Sequence, residues 1–358
     1  MSEIVFILGA GASKDSGAPL MGDFLERAHR LHRMNAPGID HEAFERVFQA
    51  ISKLQAVHSK ATLDLDNLET VFGALEMARV IDLFPGMAGA EIEILYASFK
   101  KMIAETLEEA VQFPVSAERI LPSASYSELA QLLFSLSRGP MPRSCSVITF
   151  NYDVALDYAL SVHHVPSDYC LLSGTDRAEV PYLKLHGSLN WVCTKETKQI
   201  IPWRCSDWLR SKIVMFDGAK SYCFRLSRRL TSDHPNLGAE DYDPEPVIIP
   251  PTWNKTTYQG NLANVWQRAA RELSDAEEIY VSGYSLVGTD SYFRYLFALG
   301  AVGPSRIRRF YVADPDPTGD VERRFREVLG QDASRKLIFR RDSFHQMVQV
   351  AKSHLITT

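Results

Sequence analysis

Short β-rich runs, each leading into a helical pattern, set the tightest limit on what this chain can fold into. Ile4–Leu8 runs into the turn Gly9-Ala10-Gly11-Ala12-Ser13. Cys145–Phe150 leads into Asp153–Val162, and Glu277–Gly283 into a helix over Asp290–Leu299, with Thr289 or Asp290 as its cap and Gly300 as its stop. Arg309–Ala313 leads into Thr318–Leu329, and Lys336–Arg340 into Asp342–Leu355. Strands alternating with helices predict an α/β fold: a parallel sheet covered by helices on both faces. Such sheets bind ligands at the carboxyl ends of their strands.

The pattern is interrupted once at length. Between the first strand and Cys145 the sequence reads as purely helical. Phe44, Val47, Phe48, Ile51 and Leu54 recur at helical spacing, as do Leu65, Leu68, Val71, Phe72 and Leu75. Leu95, Phe99, Met102, Ile103 and Leu107 form a third face, and Leu129, Leu132, Leu133 and Leu136 a fourth. The expected organisation is a sheet-forming domain over 1–30 and 140–358, with a helical insertion module over 31–139. A second insertion, 193–246, is aromatic and lacks a period. Trp191, Trp203 and Trp208 in and beside it read as core or interface residues.

Composition excludes some classes. The net charge of −5 over 358 residues gives no reason to expect whole-protein nucleic-acid binding. Residues 303–358 hold eleven Lys/Arg against seven Asp/Glu, read as a solvated basic face. Five cysteines at irregular spacing, with no C-x-x-C pair, indicate neither a zinc ribbon nor a redox dithiol. No signal-peptide pattern and no apolar run of membrane-spanning length is present, and the expected location is cytoplasmic.

Gly9 and Gly11 let a backbone approach a pyrophosphate at a helix N-terminus. A hydride-transfer fingerprint would have Gly where this chain has Lys14, and would end a second strand in an acidic residue some twenty positions on. Here that region is helical and basic, which disfavours a dehydrogenase. A plain structural turn explains a lone Gly-x-Gly equally well. The other strand ends add weight: Asn151 and Asp153 after Thr149-Phe150, His186-Gly187-Ser188, Gly283-Tyr284-Ser285, and Asp314. Each alone has a structural alternative. Asn151 or Asp153 can cap the next helix, His186 can be a satisfied core histidine, and Gly283 and Ser285 can make a turn.

In this order, Gly9–Ser13, Ser16-Gly17-Ala18-Pro19, Thr149–Asp153 and Lys184–Ser188 resemble the sirtuin superfamily. That family shows Gly-Ala-Gly-x-Ser, Ser-Gly-Ile-Pro, Asn-x-Asp and a catalytic His-Gly. The resemblance covers the sheet-forming parts and implies a Rossmann-like fold that binds NAD. The chain departs from the protein deacylases. It lacks their four zinc cysteines, reads Pro19-Leu20-Met21-Gly22-Asp23-Phe24 where they have Phe-Arg, and carries Tyr152 inside Asn-x-Asp.

It is more similar to the zinc-less sirtuin-like enzymes of bacterial anti-phage defence. That resemblance implies an NAD+ glycohydrolase that takes NAD as substrate and needs no metal. Asn151 and His186 are then catalytic. Asn151 holds the nicotinamide-side ribose and the attacking water, and His186 acts as base, an imidazole's ordinary pKa of about 6.5 suiting that task. Asp153 receives the nicotinamide carboxamide. Gly9, Ala10, Gly11 and Ser13 face the pyrophosphate, Gly283 and Ser285 a phosphate, and Asp314 the adenine-side ribose. The same resemblance implies a homo-oligomer with a separate activating partner: a HerA-type ATPase, or less favoured an Argonaute-like protein. Alternatives are a non-catalytic NAD or ADP-ribose sensor, and an NAD-dependent deacylase or ADP-ribosyltransferase.

Overall fold

A computed structural model describes residues 2–56, 63–172, 179–203, 205–212, 223–226, 242–243, 245–249, 259–286, 291–300, 303 and 305–356. Seven strands form the main sheet. Counting these alone, they are β1 (Ile4–Leu8), β2 (Cys145–Thr149), β3 (Ser167–Asp168), β4 (Val180–Lys184), β5 (Glu278–Ser282), β6 (Arg309–Ala313) and β7 (Leu337–Arg340). Their order across the sheet is β7-β6-β5-β1-β2-β4-β3. Every neighbouring pair is parallel, as the alternation of strands and helices requires.

Among the described residues the helices of eight or more residues are α1 (Phe24–Arg33), α2 (His41–Ala56), α3 (Leu68–Ile81), α4 (Ala90–Ala110), α5 (Ala124–Arg138), α6 (Ala155–Val162), α7 (Gln259–Asp275), α8 (Ser291–Gly300), α9 (Asp320–Val328) and α10 (Phe344–Ile356). The period-2 geometry of a strand sends alternate side chains to opposite faces. Ile4, Phe6 and Leu8 of β1, with Val147, Tyr182, Tyr280 and Tyr311, share one buried cluster with Leu129 of α5, Leu156 of α6 and Met347 of α10. Val5 and Ile7, with Ile148, Leu183, Val281 and Val312, share the other with Val265 of α7, Phe293 of α8 and Phe325 of α9. Both faces are therefore covered, which is why the strands read as near-continuous apolar runs.

The four apolar faces between β1 and β2 each form a helix: α2, α3, α4 and α5. That span is not purely helical, however. Gln112–Ser116 and Arg119–Ile120 form an antiparallel hairpin, and Cys223–Arg225 pairs beside it. Alternation of buried Phe113 and Val115 with half-exposed or exposed neighbours carries the strand period. Ala117 and Glu118, both at positive φ, make the turn. The expected cap positions Thr289 and Asp290 lie outside the described residues, as does much of 193–246. Trp191 is fully buried, while Trp203 and Trp208 are half-buried and lie 6.1 Å apart.

From β1 the chain adds β2 on one side, places β3 at that edge and then inserts β4 between β2 and β3, before it returns to the other side of β1 with β5 and continues to β6 and β7. The direction of growth reverses at β1. The crevice beyond the carboxyl ends of β1, β2 and β5 is the topological switch point, where sheets of this kind take ligands. The register brings Leu8 level with Thr149 and Ser282, and Ser282 level with Ala313.

Candidate functional site

One residue beyond those paired positions stand Gly9, Phe150, Leu185, Gly283 and Asp314, so the segments after β1, β2, β4, β5 and β6 begin at one edge. The glycine turn and the segment after β5 touch. A Cβ at Gly9 would stand 2.4 Å from the Gly283 carbonyl, and one at Gly283, where φ is +66°, would stand 2.1 Å from the Ala12 nitrogen. Gly9 N–H donates to Ser282 O at 3.1 Å, and Gly11 N–H to Gly283 O at 3.0 Å. The glycines are thus required by close backbone packing inside the protein. No described backbone carbonyl takes the N–H of Ala10, which opens the short 3-10 turn Ala10–Ser16.

Below this turn lies a buried polar knot. Asn151 Nδ2 donates to Gly9 O and to Ser13 Oγ, each at 2.9 Å. Its backbone N–H donates to Thr149 Oγ1 at 3.1 Å. Ser13 Oγ donates to Asp153 Oδ2 at 2.6 Å, and Asp153 Oδ1 accepts the Ala155 N–H at 2.9 Å at the start of α6. Asp153 thus takes the first amide of α6 from one position before the N-cap, which is Val154. Burial pushes the Asp153 carboxyl above its ordinary range, opposed by the Lys184 charge and these donors.

Two residues to which the sequence reading gave no role complete the knot. The Tyr126 hydroxyl of α5 lies 2.7 Å from Ser13 Oγ and 3.4 Å from Asn151 Nδ2. Burial first, then Asp153, holds that phenol well above its ordinary range, so it is a donor at neutral pH. Lys184, fully buried at the end of β4, donates to the Asp153 carbonyl at 2.6 Å and to Asp157 Oδ2 at 3.1 Å. Asp157 also accepts from the hydroxyls of Tyr169 and Tyr182. A charged residue ending an otherwise apolar run is a sequence signal for Lys184; Tyr126 leaves none.

His186 is 5% exposed and sits on a different neighbour set. Its ring meets Phe150 edge-on at 5.2 Å and lies 6.2 Å from Tyr152. Phe150 in turn stacks on Tyr284 at 4.2 Å, which ties the segments after β2, β4 and β5 together. Gly187, at φ +87°, follows where a Cβ would strike the Val247 carbonyl at 2.0 Å. Ser285 is half-buried beyond Tyr284. Asp314 is half-buried after β6, its Oδ1 accepting the Asp316 N–H at 2.9 Å. Burial raises the Asp314 carboxyl. The structure therefore joins Gly9, Ser13, Asn151 and Asp153 directly. It packs Gly283 on the same turn, places His186 at the adjoining aromatic cluster of Phe150 and Tyr284, leaves Ser285 next to Tyr284 in the chain, and keeps Asp314 two strands away from β1.

Among the described residues no group of three or more His, Cys, Asp or Glu stands in a metal-holding arrangement. None of the described helices is long and apolar enough to cross a membrane.

No family model matches the chain, and no curated protein matches it. Among solved structures it is similar to a Sir2 homologue in complex with NAD, at 14% identity and a TM-score of 0.42, over 99% of this chain and 89% of that one. It is also similar to a mutant Sir2 homologue in complex with ADP-ribose, at 15% identity and a TM-score of 0.41, over 99% of this chain and 92% of that one. A Sir2 complex with a p53 peptide and NAD+ gives 13% identity and a TM-score of 0.41, over 99% and 94% of the two chains. Identities this low bear on fold alone, and scores at this level lend no residue a role.

Proposed function

We propose that this chain is a sirtuin-like NAD+ glycohydrolase that cleaves NAD+ and water to nicotinamide, ADP-ribose and a proton. One observation carries the reading: Asn151 is hydrogen-bonded to both Gly9 and Ser13 at the switch point. The Asn-x-Asp and glycine-turn motifs thereby form one unit where a dinucleotide would lie.

The bond that breaks joins the nicotinamide ring nitrogen to the ribose C1′. Nicotinamide leaves as a neutral molecule from a cationic ring, so the protein's task is to hold the ribose and admit one water. In this reading Asn151 holds the nicotinamide-side ribose and that water, and His186 takes the proton. Asp153 receives the carboxamide. Its two oxygens already accept from Ser13 and Ala155, but a carboxylate has about four acceptor sites. Ala10 contributes to the pyrophosphate the glycine-turn amide that no described backbone carbonyl takes, with Ser13 and the bare backbone of Gly9 and Gly11 alongside. Gly283 and Ser285 contact a phosphate, and Asp314 the adenine-side ribose hydroxyls. No metal enters. The biological role proposed is NAD depletion in anti-phage defence, by an oligomer controlled by a separate activating protein.

A non-catalytic NAD or ADP-ribose sensor is the second reading. It is favoured by both N–H groups of Asn151 and both oxygens of Asp153 being engaged within the protein. Release of free nicotinamide from NAD by the purified chain, alone and with a candidate activating protein encoded beside it, separates the two. Tight ADP-ribose binding without release supports the sensor.

A further inference from the structure

Tyr126 reaches the knot from α5, outside every segment that carries a nucleotide-binding motif. Its ring packs against Phe344 of α10 at 5.1 Å and is buried. Hydrogen accounting assigns each donor. The single hydrogen of Ser13 Oγ goes to Asp153, so Ser13 Oγ accepts from both Tyr126 and Asn151. The Gly9 carbonyl can only accept, so the amide nitrogen of Asn151 faces it. The Asn151 Oδ1 is therefore turned away from Gly9 and Ser13.

We infer that Tyr126 is a positioning residue for cleavage of the nicotinamide–ribose bond: its donation to Ser13 locks the amide orientation of Asn151. The inference rests on the glycohydrolase reading for its reaction, and on geometry for the contact. Without the Tyr126 hydroxyl, Ser13 Oγ keeps its donation to Asp153 but loses the donor that holds it from the α5 side, and the Asn151 nitrogen keeps Gly9 O and Ser13 Oγ but loses its third acceptor, so the amide is held less tightly. The amide then samples orientations that do not present Oδ1 to the ribose and water.

The test is Tyr126→Phe in the full chain, which keeps the ring and its contact with Phe344. Three measurements are made. The first is solvent exchange of the Asn151 side-chain amide by nitrogen-15 NMR, with the signal assigned by its loss in Asn151→Ala. The second is kcat on NAD, and the third is affinity for ADP-ribose, which lacks the nicotinamide. The expected result is faster Asn151 exchange, kcat lower by about three- to tenfold, the weight of one buried hydrogen bond, and unchanged ADP-ribose affinity. Unchanged exchange and kcat overturn the inference. So does a parallel fall of kcat, ADP-ribose affinity and Tm, which marks a merely structural tyrosine. A wild-type chain that releases no nicotinamide even with its partner removes the glycohydrolase reading, and the exchange measurement still decides the contact. Should Tyr126→Phe not fold, Phe344→Leu withdraws the ring support and is expected to speed Asn151 exchange in the same direction; no change there overturns the inference.

Discussion

Lys184 and Asp157 form an ion pair at 3.1 Å in which the side chains are 0% and 3% exposed. Taking two charges out of water costs several kcal/mol each, and breaking such a pair from one side leaves the other charge uncompensated. Lys184→Met is therefore expected to lower unfolding free energy by about 3–5 kcal/mol. Adding Asp157→Asn is expected to recover part of that loss, since no buried charge is then left alone. Urea denaturation of the single and double variants checks this. A Lys184→Met protein as stable as the wild type contradicts the assigned role.

Close packing of the two glycine segments gives a sharper expectation. Gly283→Ala meets both a positive φ and a Cβ 2.1 Å from a backbone nitrogen. Strain of each kind costs about 1–3 kcal/mol, so a loss of about 2–6 kcal/mol is expected. Gly22→Ala, with nothing within 4 Å of the added carbon, is the control and is expected to be near neutral. Equal Tm values for the two variants count against the turn geometry described here.

Asp314 carries a pH prediction. Burial raises its folded-state carboxyl above the ordinary range. The folded state then takes up its proton at higher pH than the unfolded state does, so the charged form opposes folding at neutral pH. Asp314→Asn keeps Oδ1 as acceptor for Asp316 and removes the charge. It is expected to raise stability at pH 7, with the gain lost as pH falls from the raised folded-state range down to the ordinary carboxyl range, and absent below it. A gain that grows toward acid reverses the sign and defeats the argument.

Much of the sheet was legible because its apolar runs are long and end in glycine or polar residues, as β1, β2, β4, β5, β6 and β7 do. Strand β3 was not, since Ser167 and Asp168 carry no apolar signal and pair only at the sheet edge. The hairpin at Gln112–Ser116 was hidden by Pro114 and by the helical patterns on either side. Helix α7 was also unassigned, although Val265, Ala269 and Leu273 recur at helical spacing and are buried. At the site, Asn151 and Asp153 stood out by position. Tyr126 did not, because a tyrosine on an amphipathic helix looks like any other core residue until the fold brings α5 to the turn that follows β1. The purpose of Gly9 and Gly11 was only half legible: sequence shows that backbone must come close, and the structure shows that Gly283 is what it approaches.

Asn151→Asp tests the knot itself. A carboxylate there sets an oxygen against the Gly9 carbonyl and removes both N–H donors. Leaving a buried acceptor unsatisfied costs about 1–3 kcal/mol, and more for a charged group. Thermal unfolding is expected to show a lower Tm at pH 7 and partial recovery in acid, as the new carboxyl protonates and regains a donor. A pH-independent Tm difference from wild type speaks against an amide held by two acceptors.

Nicotinamide release from NAD, followed for the wild type and for His186→Ala in the presence of the neighbouring gene product, bears most directly on the proposed activity. The wild type is expected to produce nicotinamide and ADP-ribose in equal amounts. His186→Ala is expected to turn over about 10²–10⁴-fold more slowly, the usual contribution of a positioned acid or base. A wild type that binds NAD without releasing nicotinamide, or a His186→Ala protein that hydrolyses it at the wild-type rate, contradicts the account.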